Sequence, residues 1–568
     1  MMRRELENRL SFILAWGALA VTIVLTDRIT TDPVNVSKMV VLSVVGFSVL
    51  PILFIQKHEL IAKNRLMLTA SLALLLFALI SIFTSENTFE RGLYGAFSRN
   101  TGVVTYASLV LILLGATLLA HPQSFRKVIT ALTVAGVINT IYSLLAASGN
   151  DIITWNNPYG AILGTFGNPN FISAFMGMFF TLLIVQIVDQ SVSKRLKLFF
   201  IGLLPFVALT IYFSRSLQGI MVAAFGSILV IYFYIRAKEG YLKASYLYLA
   251  GMFTTGIISL AGVLGKGPLA SFLYSYTVDL RGEYWKAGIN MGLKNPMSGI
   301  GIDSYGTYYR TYRELSATIV PGLEVSTDTA HNVIIDIFAG TGFPGLIAYL
   351  TINGYILFLA LKYIKRVKTF DGTFYSIFLC WAAYQLQSLV SINQIGLAIW
   401  GWLLGGLVIA YSRLNLSDMS VDRQIKSSRL SQKKPKAQSD QLLDASTSLK
   451  IMVGAVVGLL IALPPFVNDA KMRNFFSNQK GTAETAIALG QSWPVDNIRL
   501  NKIIVSLANG NVNDKARELA AFGALKFPND YVSWWSLNQL TLDGTPEKEF
   551  IRAKLHQLDP FNPAYFKK

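Results

Sequence analysis

The chain has 568 residues, of which 53% are hydrophobic and 14% are charged, whereas ordinary soluble domains carry roughly 25% charged residues. With a mean hydropathy of +0.46, this composition excludes a soluble globular enzyme, a disordered chain and a fibrous protein, and it predicts a polytopic helical membrane protein. The net charge of +18 is first explained by basic cytoplasmic loops, so we expect membrane lipids, and no nucleic acid, as partners.

Thirteen apolar runs approach the length of about 20 helical residues that a bilayer requires. They lie near 10–27, 38–56, 66–84, 102–120, 128–147, 171–189, 197–213, 217–235, 244–264, 332–361, 373–391, 396–412 and 451–467. The first run ends in Thr26-Asp27-Arg28, without a small-x-small cleavage site, so it is not interpreted as a cleaved signal peptide. We predict an all-α fold, a membrane helical bundle of about twelve core spans plus one extra span.

Basic residues alternate with these runs: they precede the first and follow the second, fourth, sixth, eighth and tenth. Because basic loops remain in the cytoplasm, the N-terminus and these loops are predicted to be cytoplasmic. The polar segment 413–450 is then expected to be a disordered cytoplasmic linker. Its basic residues include Arg429, Lys433, Lys434 and Lys436. The run 451–467 would return the chain to the outer side.

The last segment, 468–568, is therefore expected to be extracytoplasmic. It contains Trp493-Pro494, Phe527-Pro528 and Asp559-Pro560, spaced by 34 and 32 residues, with helical patterns between them. A period near 34 residues with a proline closing each unit is typical of tetratricopeptide-like helical hairpins. The alternative is a small helical domain without repeats.

Three outer segments are longer than a compact membrane protein needs: 85–101, 148–170 and 265–331. Long loops usually serve a function or are disordered. These segments are rich in glycine, aromatic residues and asparagine, which is not the composition of disordered chains. We therefore expect a folded roof over an outward-facing cavity.

Arg215 lies in the only polar break, 214–219, of the apolar stretch from about 198 to 235. Two spans must share this stretch, so the hairpin stays at the outer membrane surface, where a guanidinium is costly without a partner. Arg215 either snorkels to water or lipid head groups, or it forms a fixed anion site, since the planar guanidinium suits phosphate oxygens.

Two further candidates lie in or beside the long outer loop. Arg281 opens the sequence Arg-Gly-Glu-Tyr-Trp-Lys-Ala-Gly, which predicts an amphipathic helix lying on the membrane. The alternative is a solvated helix face on which Arg281 and Lys286 pair with Glu283. His331 is the only one of the four histidines at the outer membrane surface. A histidine there suits a general base, or it is an interfacial helix-capping residue.

The sequence offers no protein metal site and no cofactor site. The single cysteine, Cys380, lies in an apolar run, and no second histidine or carboxylate cluster accompanies His331. A Walker motif, a GxSxG sequence and a Rossmann fingerprint are all missing. ATP-driven transport is therefore not expected.

An ordered set of motifs resembles the O-antigen ligase superfamily, which includes O-antigen ligases, O-antigen polymerases and bacterial protein O-oligosaccharyltransferases. The motifs are Thr-Phe-Gly-Asn-Pro-Asn at 165–170, Ser-Arg-Ser at 214–216, Arg281 with Trp285, Asn-Pro at 295–296 with Gly-Ile-Gly at 299–301, Ala-His-Asn at 330–332 and Gly-Phe-Pro-Gly at 342–345. The resemblance covers roughly residues 10–412. Relatives often carry an acidic residue just before the glycine aligned with Gly342, where this chain has Gly340-Thr341.

The resemblance implies a glycosyltransferase, with a transmembrane domain at 1–412 and an outer catalytic loop at about 265–331. It implies metal-independent, inverting transfer of a glycan from a polyprenyl-diphosphate carrier to a hydroxyl of a lipid, sugar or protein. The reaction would occur on the outer face of a bacterial cytoplasmic membrane and need no cofactor. Arg215 and Arg281 would hold the diphosphate, and His331 would activate the acceptor hydroxyl. Further substrate-binding candidates are Arg99, Arg91, Asn332 and Trp285.

The sequence is compatible with three functions. The first is the glycan transferase, most simply of the ligase type, with polymerase and protein-glycosylating types as alternatives. The second is a flippase or solute transporter, which would require ionisable residues deep within the spans, such as Asp336. The third is a membrane anchor for an interaction module at 468–568.

Overall fold

A computed structural model describes residues 2–155, 157–274, 276–421, 438–478 and 482–565. The regular structure in these residues consists of α-helices and three short 3₁₀-helices at Gly164–Phe166, Leu315–Thr318 and Pro563–Tyr565. The prediction of an all-α helical bundle is therefore confirmed. The basic linker residues Arg429, Lys433, Lys434 and Lys436 lie outside the described residues.

Thirteen helices of the described part overlap the thirteen predicted runs. They are α1 (Met2–Ile23), α2 (Asn35–Ile55), α3 (Lys57–Thr84), α4 (Val103–Ala116), α5 (Pro122–Ala147), α6 (Pro169–Val188), α7 (Lys194–Phe213), α8 (Leu217–Arg236), α9 (Leu242–Val263), α10 (Val333–Arg366), α11 (Gly372–Ser388), α12 (Ile395–Val421) and α13 (Gln438–Asn478). Eleven of them are long and apolar enough to cross a membrane. The other two, α4 and α11, have 14 and 17 residues.

The last two bundle helices extend beyond the predicted spans. The run at 396–412 belongs to a helix that continues to Val421, and the run at 451–467 is the middle of the 41-residue helix α13. Hydrophobicity identifies the part of a helix that suits lipid, whereas the helix itself continues until the backbone is capped or broken. The predicted boundaries at 413, 450 and 468 therefore do not coincide with helix ends.

Loops alternate between the two ends of the bundle. At one end the Glu7 carboxylate accepts hydrogen bonds from the backbone N–H groups of Ala120, at 2.8 Å, and His121, at 2.6 Å, and Arg236 donates to the carbonyl of Ile364. At the other end, here called the site end, segments 24–34, 85–102, 148–168, 264–332 and 389–394 come together. The basic loops lie at the end opposite the long loops.

Small residues bring the bundle helices close together, as is common in membrane proteins. Gly454 and Gly458 of α13 lie directly against the carbonyl groups of Phe47 and Ser43 on α2, so that a Cβ atom would be 2.4 Å from each carbonyl oxygen. The extra span is therefore packed along α2. A buried lysine, Lys38, donates to the carbonyls of Val21, Thr22 and Val24 at the end of α1, which gives this cation a capping role.

Four shorter helices lie in the site-end loops: Phe89–Tyr94, Ala270–Leu273, Tyr276–Lys294 and Tyr305–Tyr312. We call Tyr276–Lys294 the long loop helix. The tail consists of α14 (Ala483–Gly490), α15 (Asn497–Asn509), α16 (Asn513–Lys526), α17 (Tyr531–Leu540) and α18 (Pro546–Leu558). These five helices share an apolar core that includes Leu500, Leu519 and Leu555. The tetratricopeptide-like assignment of the tail stays a prediction.

The tail packs against the site-end loops through buried charges. Asp559 is fully buried and accepts hydrogen bonds from Arg310, at 2.9 Å, and from Arg313, at 2.7 and 2.9 Å. Lys526 contacts Glu90 at 3.1 Å. The tail is therefore part of the structure that surrounds the long loops, and it fixes the segment that precedes His331.

Candidate active site

His331 lies immediately before α10 and its position is fixed by its neighbours. The side chain of Asn332 caps the helix: its Oδ1 accepts from the N–H groups of Ile334 and Ile335, at 3.0 and 3.2 Å. Its Nδ2 donates to the carbonyl of Leu389 at 2.9 Å. His331 has a φ of 53°, in the left-handed region that side-chain-bearing residues rarely adopt and that is found often at functional sites. Asn332, predicted to bind substrate, holds the helix end that carries His331.

The long loop helix packs against the first turns of α10 and brings Arg281 near His331. Gly288 lies so close to Ile335 that a Cβ atom would be 2.5 Å from its Cγ2. One turn earlier, the ring of Tyr284 stacks on that of His331, with the centroids 5.8 Å apart. Arg281 lies one turn before Tyr284, on the same face of the helix. Two sequence motifs separated by fifty residues are thus brought to one place.

The glycine-rich turn after the long loop helix pairs with a break in α10. Gly342 has a φ of 67° and interrupts the helix, which leaves carbonyls of the preceding turn free. The N–H of Ile300 donates to the carbonyl of Ala339 at 2.9 Å, and the N–H of Phe343 donates to the carbonyl of Pro296 at 2.7 Å. The motifs at 295–301 and 342–345 therefore form one structural unit.

Arg99 is held next to His331 by two aspartates. The Asp303 carboxylate accepts from the N–H groups of Ala96, at 2.8 Å, and Thr101, at 3.1 Å, and so shapes the loop that carries Arg99. Two nitrogens of Arg99, Nε and Nη2, contact Asp328 at 2.6 and 2.9 Å. This bidentate ion pair fixes the orientation of the guanidinium group. Asp328 is three residues before His331.

Burial and neighbouring charges keep the imidazole neutral. Burial, together with the positive charges of Arg99 and Arg281, lowers the pKa of His331 to about 4, although Asp328 acts in the opposite direction. Burial raises the pKa of Asp328, but the Arg99 guanidinium outweighs it and holds this pKa below its usual value. Burial also lowers the pKa of Arg281. The site thus combines a neutral histidine with two nearby guanidinium groups.

Arg215 lies in the turn between α7 and α8 and has a φ of 54°. The following residue, Ser216, donates to Oδ1 of Asn170 at 2.7 Å, which ties this turn to the motif at 165–170. The Nη1 atom of Arg215 lies 4.0 Å from the place that a Cβ atom of Gly160 would take. The side chain is exposed. Arg215 therefore reaches the loop that carries Tyr159.

Two cavities adjoin these groups. A small one of about 40 Å³ is lined by Arg99, Asp328 and the buried Asp336. A larger crevice of about 440 Å³ is lined by Arg99, Tyr159, Trp155 and Asn168. Arg99 lines both. The structure thus brings Arg99, Arg281 and His331 together. Arg215 lines neither cavity and adjoins the loop at Gly160.

Neither Arg215 nor Arg281 has a carboxylate partner within 4.0 Å among the residues that the structure describes, whereas Arg99 does. The pairing considered for the long loop helix involves Lys286, which contacts Glu283 at 2.7 Å. Arg281 remains available for an anion from outside the chain.

Two predicted substrate-binding residues have other surroundings. Arg91 is buried between the site-end loops and the tail, where its Nη1 donates to Asn497 at 3.1 Å and its Nε to the carbonyl of Asp303 at 3.1 Å. Trp285 lies on the long loop helix, and its Nε1 is buried without a hydrogen-bond partner in the described part of the chain. Arg91 thus supports the loop around Asp303.

Sequence reasoning missed Asp303 and Asp328, and it named Asp336 only as a deep ionisable residue that a transporter would require. Asp328 pairs with Arg99, Asp303 organises the Arg99 loop, and Asp336 accepts from the N–H of Ala330 at 2.7 Å. Asp303 and Asp328 lie in the long outer loop close to predicted site motifs. An acidic residue at such a position in a basic chain is the sequence feature that could have identified them. Among the described residues, no group of three or more histidine, cysteine, aspartate or glutamate side chains is arranged to hold a metal ion.

The fold and this site define a class: a multi-pass helical membrane protein with a polar, arginine-containing crevice at one end of its bundle. Residues 199–350 match the family model described as O-Antigen ligase. This match contains Arg215, Arg281 and His331, and it confirms the resemblance to the O-antigen ligase superfamily over that range. A search of curated proteins gave no match.

Proposed function

We propose that this protein transfers a glycan from a polyprenyl-diphosphate carrier to an acceptor hydroxyl, without a metal ion, on the outer face of a bacterial cytoplasmic membrane. The ligase type is the first choice, with polymerase and protein-glycosylating types as alternatives. Arg215 and Arg281 bind the diphosphate, and His331 is the general base. The observation that carries this proposal is the combination, at the site end of the bundle, of a neutral imidazole and two guanidinium groups that have no carboxylate partner among the described residues.

The chemistry explains why these groups belong together. The acceptor oxygen forms a bond to the anomeric carbon, the bond from that carbon to the diphosphate oxygen breaks, and the hydroxyl proton passes to the imidazole. The diphosphate leaves with an additional negative charge, which fixed positive groups in a partly dehydrated site stabilise. Each such contact contributes on the order of 3 kcal/mol to transition-state stabilisation. Attack from the face opposite the leaving group inverts the anomeric centre.

The donor also prepares the base. In its absence the charges of Arg99 and Arg281 help to keep the pKa of His331 at about 4, where the imidazole is neutral but weakly basic. A bound diphosphate offsets this positive charge and raises the histidine pKa, because a nearby anion favours the protonated form. A base works best when its pKa lies near the working pH. Donor binding and activation of the acceptor are thereby coupled.

Sidedness follows from charge. The basic loops lie at the end of the bundle opposite the site, which supports an extracytoplasmic position of the site end. The polyprenyl chain would lie along lipid-facing helices next to Arg215, whose side chain is exposed. This arrangement lets the diphosphate enter from the membrane surface while the glycan extends into the crevice.

The test is a transfer assay with the purified full-length protein, a polyprenyl-diphosphate-linked glycan, an acceptor and a chelator, without nucleotide. We expect transfer and release of polyprenyl diphosphate. Arg215→Ala, Arg281→Ala and His331→Ala should each abolish transfer while membrane insertion is unchanged, and Arg28→Ala at the same end should not. No transfer by the wild-type protein with any glycan donor, or normal transfer by the His331 variant, would reject the mechanism.

The type of acceptor is decided by the product. Mass spectrometry of the transferred glycan distinguishes attachment to a lipid core, extension of a second carrier-linked chain and attachment to a serine or threonine of a protein. A single finished chain on a lipid is expected for the ligase type. A ladder of lengthening carrier-linked chains would assign the polymerase type instead.

A further inference from the structure

The large crevice at the site end has one wall that the active-site residues do not account for. That wall comes from the far end of α13 and from α15 of the tail, and it presents Arg473 and Lys502 to the same cavity of about 440 Å³ that Arg99 lines. The tail is therefore a structural part of the crevice.

These two cations are not satisfied by the protein itself. The Nε of Arg473 is buried and has no hydrogen-bond partner among the described residues, and Lys502 lies over the ring of Phe97 at 5.2 Å. In the described ranges, neither side chain has a carboxylate within 4.0 Å. Burying the unpaired Nε donor of Arg473 is costly, so this position favours an anion that arrives from outside. Lys502 is exposed and adds a second positive charge beside it.

The acids that line the crevice are already engaged. Asp32 accepts from the N–H groups of Val34, at 3.0 Å, and Asn35, at 3.1 Å, at the start of α2. Asp27 lies 3.8 Å from Arg28. The wall therefore offers its free positive charge at Arg473 and Lys502.

The opposite wall suits a sugar. Trp155 and Tyr159 present aromatic rings, and both are held in place: Nε1 of Trp155 donates to the hydroxyl of Tyr142 at 3.1 Å, and Asn168 donates to the hydroxyl of Tyr159 at 3.2 Å. Aromatic faces with hydroxyl and amide groups around them match the apolar faces and hydroxyls of sugar rings.

From these walls we infer that the crevice is a glycan subsite, and that Arg473 and Lys502 of the tail select a glycan that carries an anionic substituent, a carboxylate or a phosphate. The identity of this glycan as the donor's rests on the proposed function, because Arg99 joins the crevice to the His331 site. The binding itself requires no transfer and can be measured separately.

The test uses full-length protein in detergent and fluorescently labelled tetrasaccharides in a binding titration. The probes are a tetragalacturonate, a neutral tetrasaccharide carrying one phosphate monoester, and the same neutral tetrasaccharide unmodified. We expect the charged probes to bind at least tenfold more tightly than the neutral one, and their order to identify carboxylate or phosphate as the preferred group. Arg473→Gln with Lys502→Gln should remove roughly tenfold of this affinity.

The controls separate charge from folding. Lys471→Gln changes an exposed cation on the same helix and should leave binding unchanged. Arg473→Lys with Lys502→Arg should retain it. His331→Ala should bind the charged probes normally even though transfer is lost, so failure of the transferase mechanism does not resemble failure of the subsite.

Three results would overturn the inference. Equal affinity for neutral and charged probes would show that the cations do not select charge. Unchanged affinity in the double glutamine variant would place the binding elsewhere. Competition by inorganic pyrophosphate that depends on Arg473 and Lys502 would assign these residues to the carrier's diphosphate instead.

Discussion

The pH dependence of transfer follows from the surroundings of His331. An unperturbed histidine, with a pKa near 6.5, is about 3% neutral at pH 5, whereas one with the His331 pKa of about 4 is about 90% neutral. A base must be neutral to accept a proton, so at pH 5 the buried histidine is about 30 times more often competent. We expect the acid limb of kcat/KM, which reports the free enzyme, near pH 4.

Replacement of Arg99 tests the cause of this low pKa. Arg99→Met removes a positive charge and leaves Asp328 uncompensated, and both changes raise the pKa of His331. The acid limb should therefore move to higher pH, whatever happens to the maximal rate. Arg28→Met, which changes an exposed arginine at the same end, should leave the limb where it is. A wild-type limb near pH 6.5, or a limb that Arg99→Met does not move, would refute this account of the site.

Three further predictions concern the scaffold and stability. Asp559→Asn leaves Arg310 and Arg313 buried without a full counter-charge and should lower the free energy of unfolding by about 3–5 kcal/mol. Asp543→Asn, at a side chain that is 79% exposed, should lower it by about 0–1 kcal/mol. Equal melting temperatures of the two variants in detergent would contradict the described packing of the tail. Gly288→Val would push the long loop helix away from α10 and should abolish transfer, while the melting temperature measured without donor changes by only a few degrees. Normal transfer by this variant would show that the contact does not position the site. Because the native pKa of His331 lies below that of the unfolded chain, its contribution to stability should be lost as the pH falls from about 6.5 to about 4, a dependence that should be missing from melts of His331→Ala.

Hydropathy was sufficient to predict the bundle, because burial in lipid imposes a strong requirement on each span. Each predicted run overlaps a helix, and the fold class is confirmed. The ends of the helices were less accessible, because α13 continues well beyond its apolar part in both directions. Residues 422–437 of the linker lie outside the described part of the chain.

Only the basic residues of the site could be predicted from the sequence. Arg215, Arg281 and His331 attract attention because a charge at the outer surface of a membrane is unusual. The proximity of Arg281 to His331 depends on contacts between distant segments, such as Gly288 against Ile335, and no local pattern specifies these. The same holds for Asp328, whose importance comes from its pairing with Arg99. The contribution of Arg473 could not be predicted, because the crevice forms only where α13 and α15 meet the site-end loops.

In the proposed mechanism, guanidinium groups hold the departing diphosphate beside an imidazole that activates the acceptor. The most direct measurement compares binding and transfer of the same polyprenyl-diphosphate-linked glycan by Arg215→Ala, Arg281→Ala and His331→Ala. The two arginine variants should lose donor affinity together with transfer, and the His331 variant should bind the donor at wild-type affinity and transfer none of it. Wild-type donor affinity in both arginine variants, or transfer by the His331 variant at the wild-type rate, would contradict the claim.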